Sequence, residues 1–375
     1  MPRARWSVLA ALLLAVVAGL PSVTPVAAGP TAGGMTSDNV EYLKHIPFEA
    51  GGPSGARLLG KHLYVAGFKN FSIYDIADPE NPELLSITPT GFQFPNEDVD
   101  TNGKILLIQE ETPRGMLHIF DVEDKQNPAK LAEFEAGDHT FSCVLDCQWA
   151  YGGYGSIIDL RDPENPSRAG NWGYSPSSPS FDVTEVSPGI VLTASRPLRL
   201  LDARKDPAAP KTVAYGHAPD DRLMHAARWP DGGKDDFVLV TGETPFSVRC
   251  DEDSSAFMTF DARRWKKSKT FSMIDEYRMT NGTYVDGRPP ANVIGCSALW
   301  FDDHPDFSDG GLVAAAFLEH GVRVLSVDPR GKISEVGWFE PHGGSVVASY
   351  WLSADVIYAI DAVRGIDILR YTGDA

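Results

Sequence analysis

The sequence predicts an all-β chain, a seven-bladed β-propeller, on three observations. A motif of apolar residues, an aspartate and a Pro-containing turn recurs along the chain, degenerating in the last copies. Each copy carries enough short, β-rich, Gly/Pro-punctuated runs for four strands. One orphan strand at the start of the chain matches one strand missing at its end.

The motif is clearest in "IYDIADPENPELL" (73–85), and it returns in "IFDVEDKQNPAKL" (119–131), "IIDLRDPENPSRA" (157–169) and "LLDARKDPAAPKT" (200–212). With Asp75 as marker, the counterparts are Asp121, Asp159, Asp202 and Asp261, then Ser326 and Arg370 in two degenerate copies. The intervals are 46, 38, 43, 59, 65 and 44 residues, so units five and six carry insertions. Within unit one, "SGARLLG", "KHLYVAGF", "FSIYDI" and "ELLSITP" supply the four strands. The aspartates and Asn-Pro pairs suit turns in which side-chain oxygens accept backbone N–H groups and proline fixes φ, a conformational duty and not a catalytic one. The seventh unit stops one strand short, and "VEYLKHIPF" (40–48) is the strand expected to complete it and close the ring.

The pattern of apolar residues before Asp, then "DPENP" and an apolar outer strand, resembles the LVIVD-repeat family. The resemblance covers nearly the whole chain after the leader. It implies a propeller and an exported or surface location, and it brings no catalytic residue.

Residues 1–28 read as a signal peptide: a basic start, an apolar run of about 14 residues and "VAA" at 26–28 as a cleavage site. Residues 29–39 read as a flexible lead-in and 40–375 as a single domain. No cysteine follows the apolar run to take a lipid and no second apolar span appears, so a secreted protein without a stable membrane anchor is expected. With 51 acidic against 33 basic side chains the net charge is −18, which opposes nucleic acid and anionic membranes as partners. An extracellular ligand or protein is the partner expected.

Four cysteines in an exported chain point to two disulfides, Cys143 with Cys147 and Cys250 with Cys296. Half a zinc site at "CVLDC" is the alternative, without a second pair to complete it.

Alternating strand direction sends the starts of the innermost strands, and the loops between second and third strands, to one face. Aligning the units places Gly55, Asp98, His139, Asp182, His225, Cys296 and Ser349 at the first set. Glu110, Glu111, Tyr151, Arg196, Glu243, His320 and Arg364 fall in the second. A channel mouth lined by these residues is the candidate site. Glu110, Tyr151, Asp182, Arg196 and Arg364 are the ligand-binding candidates. Imidazole with carboxylate suits a divalent transition metal such as Zn, Fe, Cu or Mn, with His139, His225 and His320 as ligands. Glu243 and Asp98 are the candidates for a catalytic base. The leading function is extracellular binding or scaffolding at this mouth, and the rival is a metal-dependent hydrolase or oxidase there. Aromatics lining the mouth would favour binding. The remaining histidines (His45, His62, His118, His217, His304 and His342) read as structural or surface. The acidic loops 251–255 and 302–311 read as solvated segments, with calcium binding as the alternative. No metalloprotease, nucleophile-elbow, P-loop or dinucleotide motif is present.

Overall fold

The computed structural model describes residues 33–48, 52–92, 95–112, 114–173, 180–219, 222–243, 256–279 and 296–374. The predicted signal peptide lies outside them, as do the acidic loop 251–255 and Cys250. The described chain is all-β apart from short helical turns such as Trp265–Ser268.

Second strands show why the chain folds this way. In unit one, His62–Gly67 buries Leu63, Tyr64, Val65 and Ala66 in succession. Such a run has both faces covered, so its sequence is continuously apolar and not alternating. The outer strand Glu83–Pro89 mixes exposed and half-buried residues and leaves Leu84 and Ile87 open to solvent.

Unit one runs Pro53–Leu59, His62–Gly67, Asn70–Asp75 and Glu83–Pro89 as one antiparallel meander. The innermost strands of the following units are Pro95–Thr101, Phe141–Val144, Ser180–Ser187, Met224–Arg228, Phe301–Asp303 and Val346–Trp351. The marker aspartates Asp75, Asp121, Asp159, Asp202 and Asp261 each end a third strand. Each accepts the N–H two residues on, as Asp75 does from Ala77 at 2.8 Å and Asp121 from Glu123 at 2.8 Å. The second aspartate of the turn does the same: Asp78 accepts from Glu80 N at 3.1 Å and from Asn81 Nδ2 at 3.1 Å. In unit six the marker is Ser326, and the turn duty passes to Asp328, which takes Arg330 N at 2.8 Å.

The strand Val40–Pro47 pairs antiparallel with Gly365–Tyr371, the last strand of the chain. Its register shifts between Tyr42 and Lys44, and the outer strands of the other six units shift against their third strands in the same way. A bulge of this kind adds local twist, so the N-terminal strand has the geometry of an outer strand.

Two expectations are corrected. Units four and five do not form separate sheets. Their outer strands, Lys211–His217 and Thr270–Tyr277, pair in parallel (Tyr215 with Thr270, Gly216 with Phe271), which fuses the two meanders into one eight-stranded sheet. Unpaired edge groups on adjacent outer strands satisfy one another there. The lead-in 29–39 also holds a strand, Gly34–Thr36, on the outer edge of unit six against Phe339–Pro341.

The core lies between sheets. Among the described residues, seven hydrophobic clusters each join consecutive units, among them Phe71, Ile73, Val99 and Leu106 between units one and two. The cycle returns through Val65, Ile360 and Ile368 between units seven and one. Polar links follow the same order. Arg57 Nε meets Asp100 Oδ1 at 3.0 Å and Asp100 Oδ2 accepts Cys143 N at 2.7 Å. Thr140 Oγ1 donates to the Phe181 carbonyl at 2.6 Å, and Ala227 N to Asp182 at 3.0 Å. Arg228 pairs with Asp302 at 2.8 Å and with Asp303 at 2.9 Å, and Asp302 accepts Trp351 N at 3.0 Å. Tyr350 Oη donates to the Ala56 carbonyl, back in unit one. The loop 302–311 therefore does not begin as a solvated acidic segment: its first two carboxylates are the counter-ions of Arg228.

Candidate functional site

His139 precedes the innermost strand of unit three, and His225 lies on that of unit five. They are 6% and 1% exposed, so neither is a loose surface side chain. Phe181, at the same level of unit four, stands between them. Its ring meets His139 edge-on at 4.7 Å and stacks on His225 at 5.8 Å between centroids. Tyr154, from the second-to-third loop of unit three, stacks on the far side of His139 at 5.4 Å. Trp300, just ahead of the innermost strand of unit six, meets His225 edge-on at 5.4 Å. Five rings from four consecutive units thus form one unbroken run in the offset and T-shaped geometries that ring quadrupoles favour.

Carboxylates stand beside the imidazoles. Glu111 Oε1 lies 3.5 Å from His139 Nδ1. Asp182, next to Phe181 in the chain, accepts the N–H of Ala227, two residues after His225, at 3.0 Å. Burial pushes the Asp182 carboxyl up to about 6, against the Ala227 N–H, the Thr184 hydroxyl and the positive charge of His225 and Arg57. Burial likewise pushes Asp302 up to about 6, with Arg228 opposing. Asp138 fixes the loop that carries Tyr154. Its buried carboxylate accepts the N–H groups of His139 at 2.9 Å and Ser156 at 3.0 Å, and that of Tyr154. It lies against Gly152, where a Cβ would come within 2.3 Å of Asp138 Oδ2. Desolvation raises its pKa.

The structure sorts the sequence candidates. Asp98 lies on its innermost strand and accepts Ser142 Oγ at 3.3 Å. Glu243 follows the second strand of unit five, its N–H donated to Leu223 O at 3.1 Å, which keeps it beside the His225 strand. Arg196 occupies the predicted loop of unit four and is half-buried. Glu110 is buried against His118, 3.1 Å away.

Tyr151, a ligand-binding candidate in the sequence, is wholly buried. The second strand of unit three extends through Gly152, and the ring packs into the core between units three and four. Its hydroxyl donates to the Pro207 carbonyl in the turn of unit four. Tyr358 does the same from unit seven to Pro79 of unit one, at 2.6 Å. Arg364 is a clasp. It joins the buried Asp361 and Asp367 and donates to the Gly33 carbonyl at 2.7 Å, since two carboxylates in the interior need a counter-charge. Cys296 lies five residues ahead of the innermost strand of unit six, because the insertion displaces the register there.

The three histidines offered as metal ligands are not gathered as a set. A phenyl ring separates His139 from His225, and His320 is wholly buried in the turn Phe317–Gly321, its N–H donated to Phe317 O at 2.9 Å. Among the described residues, no three His, Cys, Asp or Glu side chains converge as a ligand group. Cys143 and Cys147 are bonded as expected. Cys296 is also disulfide-bonded, and its predicted partner Cys250 lies outside the described residues.

The histidines and carboxylates that carry the chemical signal in the sequence do not point to Tyr154, Phe181 or Trp300. Their signal is positional: each falls at an innermost-strand start or a second-to-third loop. In comparisons with known proteins, no family model and no curated protein matches the chain.

Proposed function

We propose that the chain is an exported seven-bladed β-propeller of the LVIVD-repeat kind that binds a ligand through the ring run at its mouth. The cyclic order of cores and polar links supports the propeller, and the Cys143–Cys147 bond is compatible with an oxidising compartment. The observation that carries the function is the run Tyr154–His139–Phe181–His225–Trp300, with Glu111 beside the His139 imidazole and Asp182 bonded to the strand that carries His225. Aromatic faces next to carboxylates suit an organic cation, which gains both quadrupole and charge attraction, and a net charge of −18 favours its approach. The metal-enzyme reading lacks comparable support, because Phe181 occupies the space between its two best ligands.

Benzyltrimethylammonium tests this, with tryptophan fluorescence as the readout and benzenesulfonate as the anionic control. The expectation is saturable quenching with a Kd of about 1 mM or tighter for the cation. Phe181→Ala should weaken it about tenfold with an unchanged melting temperature. Failure of the cation to bind, or equal binding of the sulfonate, would overturn the reading.

A further inference from the structure

Unit five replaces the short Asp-x-x-Asn-Pro turn with "DARRWKKSK" (261–269), which places five cationic residues in seven positions of a chain whose net charge is −18. The segment forms the helical turn Trp265–Ser268, ended by Lys269 at φ 60° with its N–H on Trp265 O at 2.7 Å. Arg263 is neutralised by Asp261, 2.9 Å away. Arg264, Lys266, Lys267 and Lys269 have no carboxylate within ion-pair distance among the described residues, and all four are exposed. The ammonium groups of Lys266 and Lys269 each lie 5.9 Å from the centre of the Trp265 ring, so cations and an aromatic share one surface.

This surface is concave. A groove of about 880 Å³ runs between the turn and the loop before the second strand of unit five, lined by Trp229, Lys234, Asp236, Arg264, Lys266 and Lys267 among others. Trp265 does not project from it: the ring is partly buried and packs edge-on against Trp229 at 5.6 Å. The parallel pairing of units four and five brings the outer strand of unit four alongside the basic turn. Tyr215, 41% exposed, donates its N–H to Lys269 O at 3.0 Å, which sets a second aromatic beside the basic turn. Asp236 is the acidic lining residue in reach of solvent. Asp235 is buried and accepts the N–H groups of Phe237 and Asp309.

We propose that this groove, on the face opposite the mouth, binds an acidic polysaccharide, the carboxylate- or sulfate-bearing sugar units lying along Arg264, Lys266 and Lys267 with their C–H faces against the tryptophan and tyrosine surface. Clusters of Lys and Arg of this length suit linear polyanions. A concave, aromatic-lined groove accepts a chain of sugar rings, whose C–H groups gain dispersion contact with an aromatic face. A lipid surface would call for a projecting apolar residue on a convex or flat face, and the packed Trp265 does not supply one.

The test is affinity electrophoresis of the full chain through gels containing polygalacturonate or heparin. Phosphatidylglycerol vesicles and a double-stranded DNA oligonucleotide are measured in parallel by sedimentation and anisotropy. Retardation by both polysaccharides is expected at 50 mM salt, weakening about tenfold or more by 200 mM as released counterions dictate. Lys266→Glu with Lys267→Glu should reduce it by about tenfold more at an unchanged melting temperature, whereas Lys69→Glu with Lys104→Glu should leave it alone. Should the charge reversal lower the melting temperature, Lys266→Gln with Lys267→Gln is read in its place. No retardation, an equal loss in both double variants, or tighter binding to vesicles or DNA than to the polysaccharides would each overturn the proposal.

Discussion

Arg228 of unit five lies 2.8 Å from Asp302 of unit six, and the same Asp302 accepts the backbone N–H of Trp351 in unit seven. One buried carboxylate therefore ties three consecutive units together, and Asp182 makes a similar reach from unit four into unit five. Such links fix how neighbouring sheets meet, at the cost of desolvating a charge.

That cost sets a pH dependence. Asp182 and Asp302 have folded pKa values raised to about 6, above the unfolded value near 3.8. The folded state binds protons more tightly, so the two groups lower stability above pH 6 and cease to do so as pH falls toward 4. Each is worth about 1–3 kcal/mol on the scale of 1.36 kcal/mol per pH unit. His118 and His62, lowered by burial, oppose this below pH 6.5. The turn aspartates Asp78, Asp124, Asp159 and Asp202, lowered by their hydrogen bonds, lose their contribution as pH drops below 3.8. Thermal melts should accordingly peak near pH 5, a few degrees above pH 7.5. A melting temperature that falls steadily from pH 7.5 to 5 would refute the balance.

A chain starting at residue 50 should be destabilised throughout. It loses the strand Val40–Pro47 and exposes the edge of Gly365–Tyr371. Asp367, wholly buried, also loses His45 at 2.8 Å and Tyr42 at 3.1 Å. Removing partners from a buried charge costs about 3–5 kcal/mol. Calorimetry should show a single transition lowered by about 10 °C or more. A melt matching that of a chain beginning at residue 33 would mean that the strand closes nothing.

The Cys143–Cys147 bond should contribute little. Its short loop restricts the unfolded chain by about 2 kcal/mol. Leu145, Asp146 and Cys147 all adopt positive φ, at 54°, 58° and 55°, and non-glycine residues there cost about 1–2 kcal/mol each. Replacing both cysteines by alanine should move the melting temperature by no more than about 3 °C. A fall beyond 10 °C would show that the loop is not strained. Non-reducing peptide mapping should join Cys296 to Cys250.

Tyr151→Phe removes the hydroxyl that reaches the Pro207 carbonyl and leaves the ring in the core. It should cost about 1 kcal/mol of stability with benzyltrimethylammonium binding unchanged. Weakened binding at unchanged stability would return Tyr151 to the ligand-binding candidates.

The strands, the turns and the N-terminal strand were legible because their causes are local. Continuous apolar runs specify strands covered on both faces. Aspartate side chains reach N–H groups two residues on, and Cys143 can reach Cys147 across a single turn. Tertiary structure alone decided what lies between units. Tyr151 and Phe181 look equally suited to core or mouth as sequence, yet one reaches the opposite turn and the other spans two histidines. Asp302 and Asp303 read as part of a solvated acidic segment, yet they end a short strand where Arg228, 74 residues earlier than Asp302, meets them. The parallel pairing of Tyr215 with Thr270 joins edges that no short-range pattern links. Hydrogen bonds within a turn need only neighbours in sequence, whereas packing between sheets depends on which distant side chains come to share one space.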